Sequence, residues 1–453
     1  MAVRLVAAAL VLALAPGATA PRPPEEAVAR ALRLVKPAVV RIESRATATV
    51  SVATIGFDQG ALEAFARRDV ANLVSSGRHY PSIAIVEQVI NSDIEHEFVA
   101  NPAPYLKLGD RITDPYDSAR VGSGWIADGD GYVVTAADVL LDEAAVTQAA
   151  TEQERQVIAA DLDDVTPADL GLTVPLSDAQ KANIVNAALA RAVPSIHVSG
   201  ISSHTTVQLG TAVPGQQTGI DVRPDAHIVV DHRSPHGTGL AVVQIPGPQL
   251  ASIPLAYGSS LSAGAPVIVA GYPAVEASSG GPDAPSTPVS PDAVAGTVGD
   301  AIPEGGTMTS TGYTLGVVGG AVLDADGQAI GVAVKRDGAS AIVPVADVVR
   351  ALDDAHTRGR VNTVTRDYRK AAADMSRNWY KRALPILQAI GRRSPDTPWV
   401  SDQIQEAAQQ IALGHDESPS DRPFLPVAIA AVLFAADAVA VTTVLRRHVV
   451  RSR

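Results

Sequence analysis

The stretch that decides the fold is GSGWIADGDGYVVTAADVL, Gly122–Leu140. Apolar and β-branched residues in its two halves predict two strands, and the Asp-Gly-Tyr centred on Gly131 predicts a tight turn between them. The Gly-Ser-Gly at its start predicts another turn. Because the second strand runs into Asp138, the stretch places an acidic side chain at a strand end, where chemistry is often found.

Working outward, short β-rich runs fill the body of the chain. One strand is predicted at Val39–Ile42, and many short runs follow between Ser195 and Val345. Clusters of Gly, Pro, Asp and Ser separate these runs, and the pattern predicts an all-β barrel or sandwich. The Pro/Ser/Gly-rich segment 276–292 predicts a mobile loop.

Helical patterns interrupt and follow the β-rich body. Residues 142–193 predict a helical insertion, with Asp142 and Ser177 as N-caps. Residues 57–100 are mixed and partly helical. After Val349 the pattern becomes helical again and predicts a hairpin of two helices, within a juxtamembrane region 351–422.

Three segments, taken in order, resemble the trypsin-like serine peptidases, most closely the HtrA-type bacterial branch. They are Gly122–Leu140, GTGLAVVQI at Gly237–Ile245, and GVVGGAVLDADGQAIGVAV at Gly316–Val334. The resemblance implies a mainly β, chymotrypsin-like double β-barrel over residues 21–350. No segment resembles a PDZ domain.

The resemblance also locates the catalytic positions, and this chain departs from the family at all three. The histidine position holds Asp138, the aspartate position holds Gly239, and the serine position holds Val318. A triad needs a hydroxyl nucleophile, an imidazole base and an orienting carboxylate. The sequence therefore predicts a peptidase fold without catalytic residues, and no cofactor or metal site.

The glycine-rich loop of the third segment is retained. Gly316, Val318, Gly319 and Gly320 match the loop that forms the family's oxyanion hole. The amides of Gly316 and Val318 could still hold an anion. The alternative is that this turn only holds the barrel together, in a form collapsed by the β-branched Val317 and Val318.

Displaced catalytic residues are a second hypothesis. His232, Ser234 and His236 lie close together in DHRSPHGTG, beside the lost aspartate position. An active serine peptidase would have to use such residues. His197 and His204, predicted to flank a β turn, are expected to be ordinary surface or strand residues.

Both termini predict export to a membrane. Residues 1–20 have a basic start, an apolar run and a small-x-small end, which is typical of a signal peptide; Pro21 leaves the cleavage position open. Residues 423–446 contain a 22-residue apolar run, long enough to cross a bilayer. The Arg-rich tail 447–453 predicts a cytoplasmic C-terminus. Asp437 lies within the span, where an ionisable group indicates a partner helix or is tolerated by protonation.

Composition excludes some classes of function. The net charge of −12 argues against a nucleic-acid surface, and the absence of Cys excludes disulfides and thiolate metal sites. Only six of the 36 basic residues are Lys, which is typical of a GC-rich, actinobacteria-like genome.

The sequence thus predicts a single-pass pseudopeptidase that binds a peptide or envelope protein outside the cell. A sensor subunit of a membrane complex is the remaining alternative. The sequence does not predict the oligomeric state of the protein.

Overall fold

The computed structural model describes residues 24–419 apart from 81, 165, 167–169, 171–175, 213–218, 223–228, 232–238, 248, 274–287, 302–306, 310–314, 337 and 396. The expected signal peptide, the span 423–446 with Asp437, and the tail 447–453 lie outside these residues, as does most of the expected loop 276–292. Within the described part of the chain, no helix is both long and apolar enough to cross a membrane. The chain divides into two compact units, the first ending at Asn362 and the second starting at Thr363.

The strands are, in chain order, β1 Val39–Phe57, β2 Leu106–Asp128, β3 Tyr132–Ala136, β4 His197–Leu209, β5 Ile220–Asp221, β6 Val229–Asp231, β7 Leu240–Gln244, β8 Pro266–Gly271, β9 Asp292–Ala301, β10 Thr307–Thr309, β11 Ala321–Leu323, β12 Ala329–Arg336 and β13 Ala339–Pro344. The helices are α1 Glu25–Val35, α2 Gln59–Ser75, α3 Ile83–Ala100, α4 Glu143–Asp163, α5 Asp178–Ala192, α6 Val345–Asp354, α7 Thr363–Met375, α8 Tyr380–Arg393 and α9 Val400–Ala412.

The first unit contains two β structures. One is a seven-stranded sheet in the order β5-β4-β1-β2-β3-β7-β6, and the other is a closed barrel in the order β10-β13-β12-β11-β8-β9. A single apolar core joins them, with Trp125 and Val134 from the sheet and Val269 and Val332 from the barrel, all fully buried. Burial of such side chains is the main stabilising term in a fold of this size.

The β1–β2 pair is much longer than the sequence indicated. The predicted strand Val39–Ile42 continues to Phe57, and its antiparallel partner β2 follows it throughout, from Trp125 back to Leu106. Alternating buried and exposed residues over Ala46–Val50 account for the extension, because that period fits a half-buried strand. The distal half of this ribbon packs with α2–α5 around a second core that includes Phe98 and Ile184.

The predicted insertion 142–193 is helical, as α4 and α5. Asp142 accepts the amide of Ala145, so the predicted N-cap is confirmed. Ser177 and Gln180 form a capping box at the start of α5, which confirms the second cap.

The turn predicted at Gly122-Ser123-Gly124 is wrong, because these residues lie inside β2. The glycines serve close packing instead. A Cβ at Gly122 would lie 2.4 Å from a methyl group of Val139, and one at Gly124 would lie 2.7 Å from Ile42. Glycine in a strand often marks such close approach.

The predicted hairpin of two helices is also wrong, because the second unit contains α7, α8 and α9. The break comes at Asn378, whose φ of 60° is left-handed. Its amide donates to Met375, and the amide of Trp379 donates to Asp374. These are the two hydrogen bonds of a Schellman motif, which ends α7.

Candidate active-site cleft

The structure brings the three predicted catalytic positions together. Asp138 lies in the 3-10 turn Ala137–Val139 that follows β3, and Val318 follows the 3-10 turn Leu315–Val317. Both line one cleft of about 420 Å³. Gly239 precedes β7, and its carbonyl accepts the amide of Ala137 at 2.7 Å.

Each of these positions takes part in the framework through its main-chain carbonyl. The carbonyl of Asp138 accepts from Nη1 of Arg120 at 2.9 Å. That of Val318 accepts from the amide of Ser123 at 2.7 Å, and that of Gly239 from the amide before Asp138. These hydrogen bonds do not depend on the identity of the side chains.

The side chains at these positions offer little chemistry. Val318 is 5% exposed and has no nucleophilic atom. The Asp138 side chain is exposed, and its carboxylate has no hydrogen-bond or ion-pair partner among the described residues. Gly239 has a φ of 70°, with open space where a Cβ would stand. Its backbone conformation, rather than its packing, therefore favours glycine.

Ser123 holds the loop that precedes Val318. Its hydroxyl donates to the carbonyl of Gly316 at 2.6 Å and accepts the amide of Tyr272 at 2.7 Å. The side chain is fully buried, so both groups are satisfied away from water. The carbonyls of Gly316 and Val318 are thus both bound to one residue of β2.

The glycines after Val318 are equally constrained. The amide of Gly319 donates to Ala333 at 2.7 Å, and that of Gly320 donates to Val317 at 2.8 Å. Gly319 has a φ of 88°, and a Cβ on it would lie 2.1 Å from the carbonyl oxygen of Ser123. The backbone of this loop is therefore used in holding sheet and barrel together.

Charged side chains surround the cleft, and the sequence analysis missed them. Arg120 of β2 and Lys335 of β12 line it with Asp138 and Val318. A neighbouring cleft of about 600 Å³ shares Arg120 and Asp138 and extends to the first turns of α4. No motif in the sequence indicates these two cations.

No described residue in the lining of either cleft is Ser, Thr, Cys or His. The ammonium group of Lys335 donates a hydrogen bond to the hydroxyl of Ser340 at 3.1 Å. His232, Ser234 and His236 lie outside the described residues. His197 and His204 lie on one strand, β4, rather than on either side of a turn, and His204 contacts the exposed Asp221 at 3.2 Å.

One stretch of the chain, which includes the cleft, matches a known family model. Residues 122–332 match the family model described as the trypsin-like peptidase domain. This part of the chain is similar to that family, and the expected mainly β fold of chymotrypsin-like half-barrels with helices is confirmed. The matched range includes Asp138, Gly239 and Val318.

Among solved structures, the chain is similar to the serine endoprotease from Yersinia pestis, at 13% identity and a TM-score of 0.33. The likeness covers 72% of this chain and 66% of that chain, just under two thirds of its length. A search of curated proteins gave no match.

Proposed function

We propose that this protein is an exported, membrane-anchored pseudopeptidase that binds a peptide or protein segment without cleaving it. One observation carries the proposal. The cleft where a trypsin-like domain would hold its nucleophile and base is lined instead by Val318 and Asp138. Valine cannot attack a carbonyl, and Asp138 has no hydroxyl beside it to deprotonate.

The loss of chemistry would be nearly complete. Removing the serine or the histidine of a triad lowers turnover on the order of a million-fold. The remaining rate in such variants comes from the oxyanion hole and substrate binding. Here the loop Gly316–Gly320 is bound to β2 and β12, which supports a structural role for it.

Binding does not need the triad. Peptidases of this fold hold their substrates as an added strand through main-chain hydrogen bonds, and recognition by strand addition can persist without catalysis. Arg120 and Lys335 give the cleft two cationic groups beside Asp138. An extended segment of an envelope protein is the partner that this arrangement favours.

A second candidate is a serine peptidase with displaced residues. The observation that favours it is the contact between Lys335 and Ser340, because a Ser–Lys pair serves as nucleophile and base in some peptidases. Ser340 is 8% exposed and is the second residue of β13. This burial restricts attack on a substrate in the cleft.

Labelling of the full-length chain with a fluorophosphonate, which modifies activated serines, tests the proposal. We expect no labelling under conditions that fully label an active trypsin-like peptidase. Stoichiometric labelling would overturn the proposal. Loss of that label in Ser340→Ala, or in Ser234→Ala, would then identify the nucleophile.

Membrane anchoring rests on residues 423–446 and has its own test. We expect the full-length chain to stay in the membrane fraction after alkaline carbonate washing. A variant with Leu425, Val427 and Ile429 changed to Lys is expected to appear in the soluble fraction. Release of the unchanged chain would contradict this part of the proposal.

A further inference from the structure

Strand β1 extends beyond the end of β4, the strand that pairs with one of its two edges. β4 pairs with β1 only as far as Ser51, which lies opposite His197, whereas β1 continues to Phe57. Over Val52–Phe57 its described strand partner is β2 alone. A strand edge of this kind presents main-chain donors and acceptors to an incoming chain.

A groove of about 470 Å³ follows this edge. It is lined by six consecutive residues, Val52–Phe57, together with Ile112 of β2 and one side of α4. Alternate residues of a strand point to opposite faces, so a groove that touches six in a row lies along the edge. A Cβ added at Gly56 would meet nothing within 4 Å, so the face of the strand is open at that residue.

The walls of the groove are partly apolar. Ile112 is 49% exposed and Val157 of α4 is 48% exposed, and both line it. These two large aliphatic side chains offer contacts to aliphatic side chains of a bound segment.

The groove is also acidic. Asp114, Glu154 and Asp161 line it, and its described lining contains no Lys or Arg. Burial, and then the charges of Asp114 and Asp161, raise the pKa of the Glu154 carboxyl. The three carboxylates therefore repel one another in the empty groove, and a cationic group between them would relieve this repulsion.

We propose that this groove binds an extended segment of a partner protein, and that the segment adds to β1 as a strand. The groove-facing residues of this segment, every second one along its chain, include both aliphatic residues and Lys or Arg. Its main chain pairs with Val52–Phe57, where β4 no longer reaches. Its aliphatic side chains contact Ile112 and Val157, and its cations lie near the three carboxylates. The groove is separate from the cleft at Asp138, and the inference does not rest on the proposed function.

The test uses a fluorescent Val–Lys octapeptide, in which Val and Lys take turns along one face of the strand and Ser occupies the other face. It is added to the full-length chain and followed by anisotropy. We expect saturable binding that weakens as salt is raised, because ion pairing contributes to it. The same peptide with Glu in place of Lys should not bind. A Val–Lys peptide with N-methylated amides on one edge should bind at least tenfold more weakly, since it cannot complete the strand pairing.

Matched variants locate the site. Glu154→Gln combined with Asp161→Asn is expected to weaken binding of the Val–Lys peptide at least tenfold. Glu63→Gln combined with Asp300→Asn removes the same charge from two exposed positions outside the groove, and should leave the affinity within twofold. Absence of binding to the unchanged chain, or equal affinity in the two double variants, would overturn the inference.

Discussion

Ser123 and Gly316 are joined by a hydrogen bond of 2.6 Å, in which the buried hydroxyl donates to the main-chain carbonyl. The same hydroxyl accepts the amide of Tyr272. One side chain of β2 therefore satisfies a donor and an acceptor that both belong to the barrel half of the domain. This relationship fixes the loop before Val318 more directly than any apolar contact.

We expect Ser123→Ala to lower the free energy of unfolding by about 2 kcal/mol, because it leaves two buried main-chain groups without a partner. Urea denaturation monitored by Trp fluorescence measures this. Ser118→Ala, on the same strand but partly exposed, should change the stability by less than about 0.5 kcal/mol. Equal effects of the two changes would contradict the role assigned to Ser123.

Gly319→Ala should be more harmful. The φ of 88° disfavours any L side chain, and the added Cβ would meet the carbonyl oxygen of Ser123 at 2.1 Å. We expect a loss of at least about 3 kcal/mol in unfolding free energy. Gly338→Ala is the control, since its φ is 77° but no atom lies within 4 Å of its Cβ position. There we expect only the backbone strain of about 1 kcal/mol.

The carboxyl group of Glu43 makes the stability of the fold depend on pH. Its carboxylate accepts from the buried Arg41 at 2.9 Å and from Arg45 at 2.7 Å. Burial alone would raise the pKa of Glu43, but the hydrogen bonds from both arginines lower it below the usual 4.5. Its stabilising contribution is therefore present above pH 4.5 and is lost as the pH falls through the lowered value.

Accordingly, Glu43→Gln should destabilise the fold at pH 7 by about 3 kcal/mol, since it leaves Arg41 buried without its counter-ion. Below pH 4.5 the difference between the variant and the unchanged chain should shrink. Thermal unfolding at several pH values measures both effects. A pH-independent difference would be inconsistent with the lowered pKa.

The pair Asp69 and Asp93 should affect stability in the opposite direction, with a cost that grows as the pH rises. Burial, and then the like charge of Asp93, raise the pKa of the Asp69 carboxyl. A raised acid pKa in the folded state costs stability at high pH, and this cost disappears as the pH falls. Asp93→Asn should therefore raise the urea midpoint at pH 7, with a smaller gain at pH 4. Glu87→Gln on the same helix is the control and should give no such gain.

Local sequence signals predicted the features that depend on neighbouring residues. The caps at Asp142 and Ser177 are examples, because a cap is made within three residues. The length of β1 was underestimated, since its distal half is stabilised by packing against helices distant in sequence. The end of α7 at Asn378 was missed because Asn carries only a weak signal for a left-handed residue.

The residues of the cleft also divide into those that local motifs predicted and those that depend on distant parts of the chain. Asp138 and Val318 were found through motifs within single segments, and the structure places them together. Arg120 and Lys335 were missed because no segment that contains them resembles a site. They meet at the cleft only through the pairing of β2 and the closure of the barrel, which brings together residues more than 200 positions apart.

The three carbonyl hydrogen bonds at Asp138, Gly239 and Val318 have an evolutionary consequence. The accepting atoms there are main-chain carbonyls, which every amino acid has, and only the donor to Asp138 is a side chain, that of Arg120. Catalysis would depend on the side chains at the three positions themselves. The fold at this cleft can therefore be kept while the side chains at these three positions change. In such a domain, the survival of the architecture is no record of the survival of the reaction.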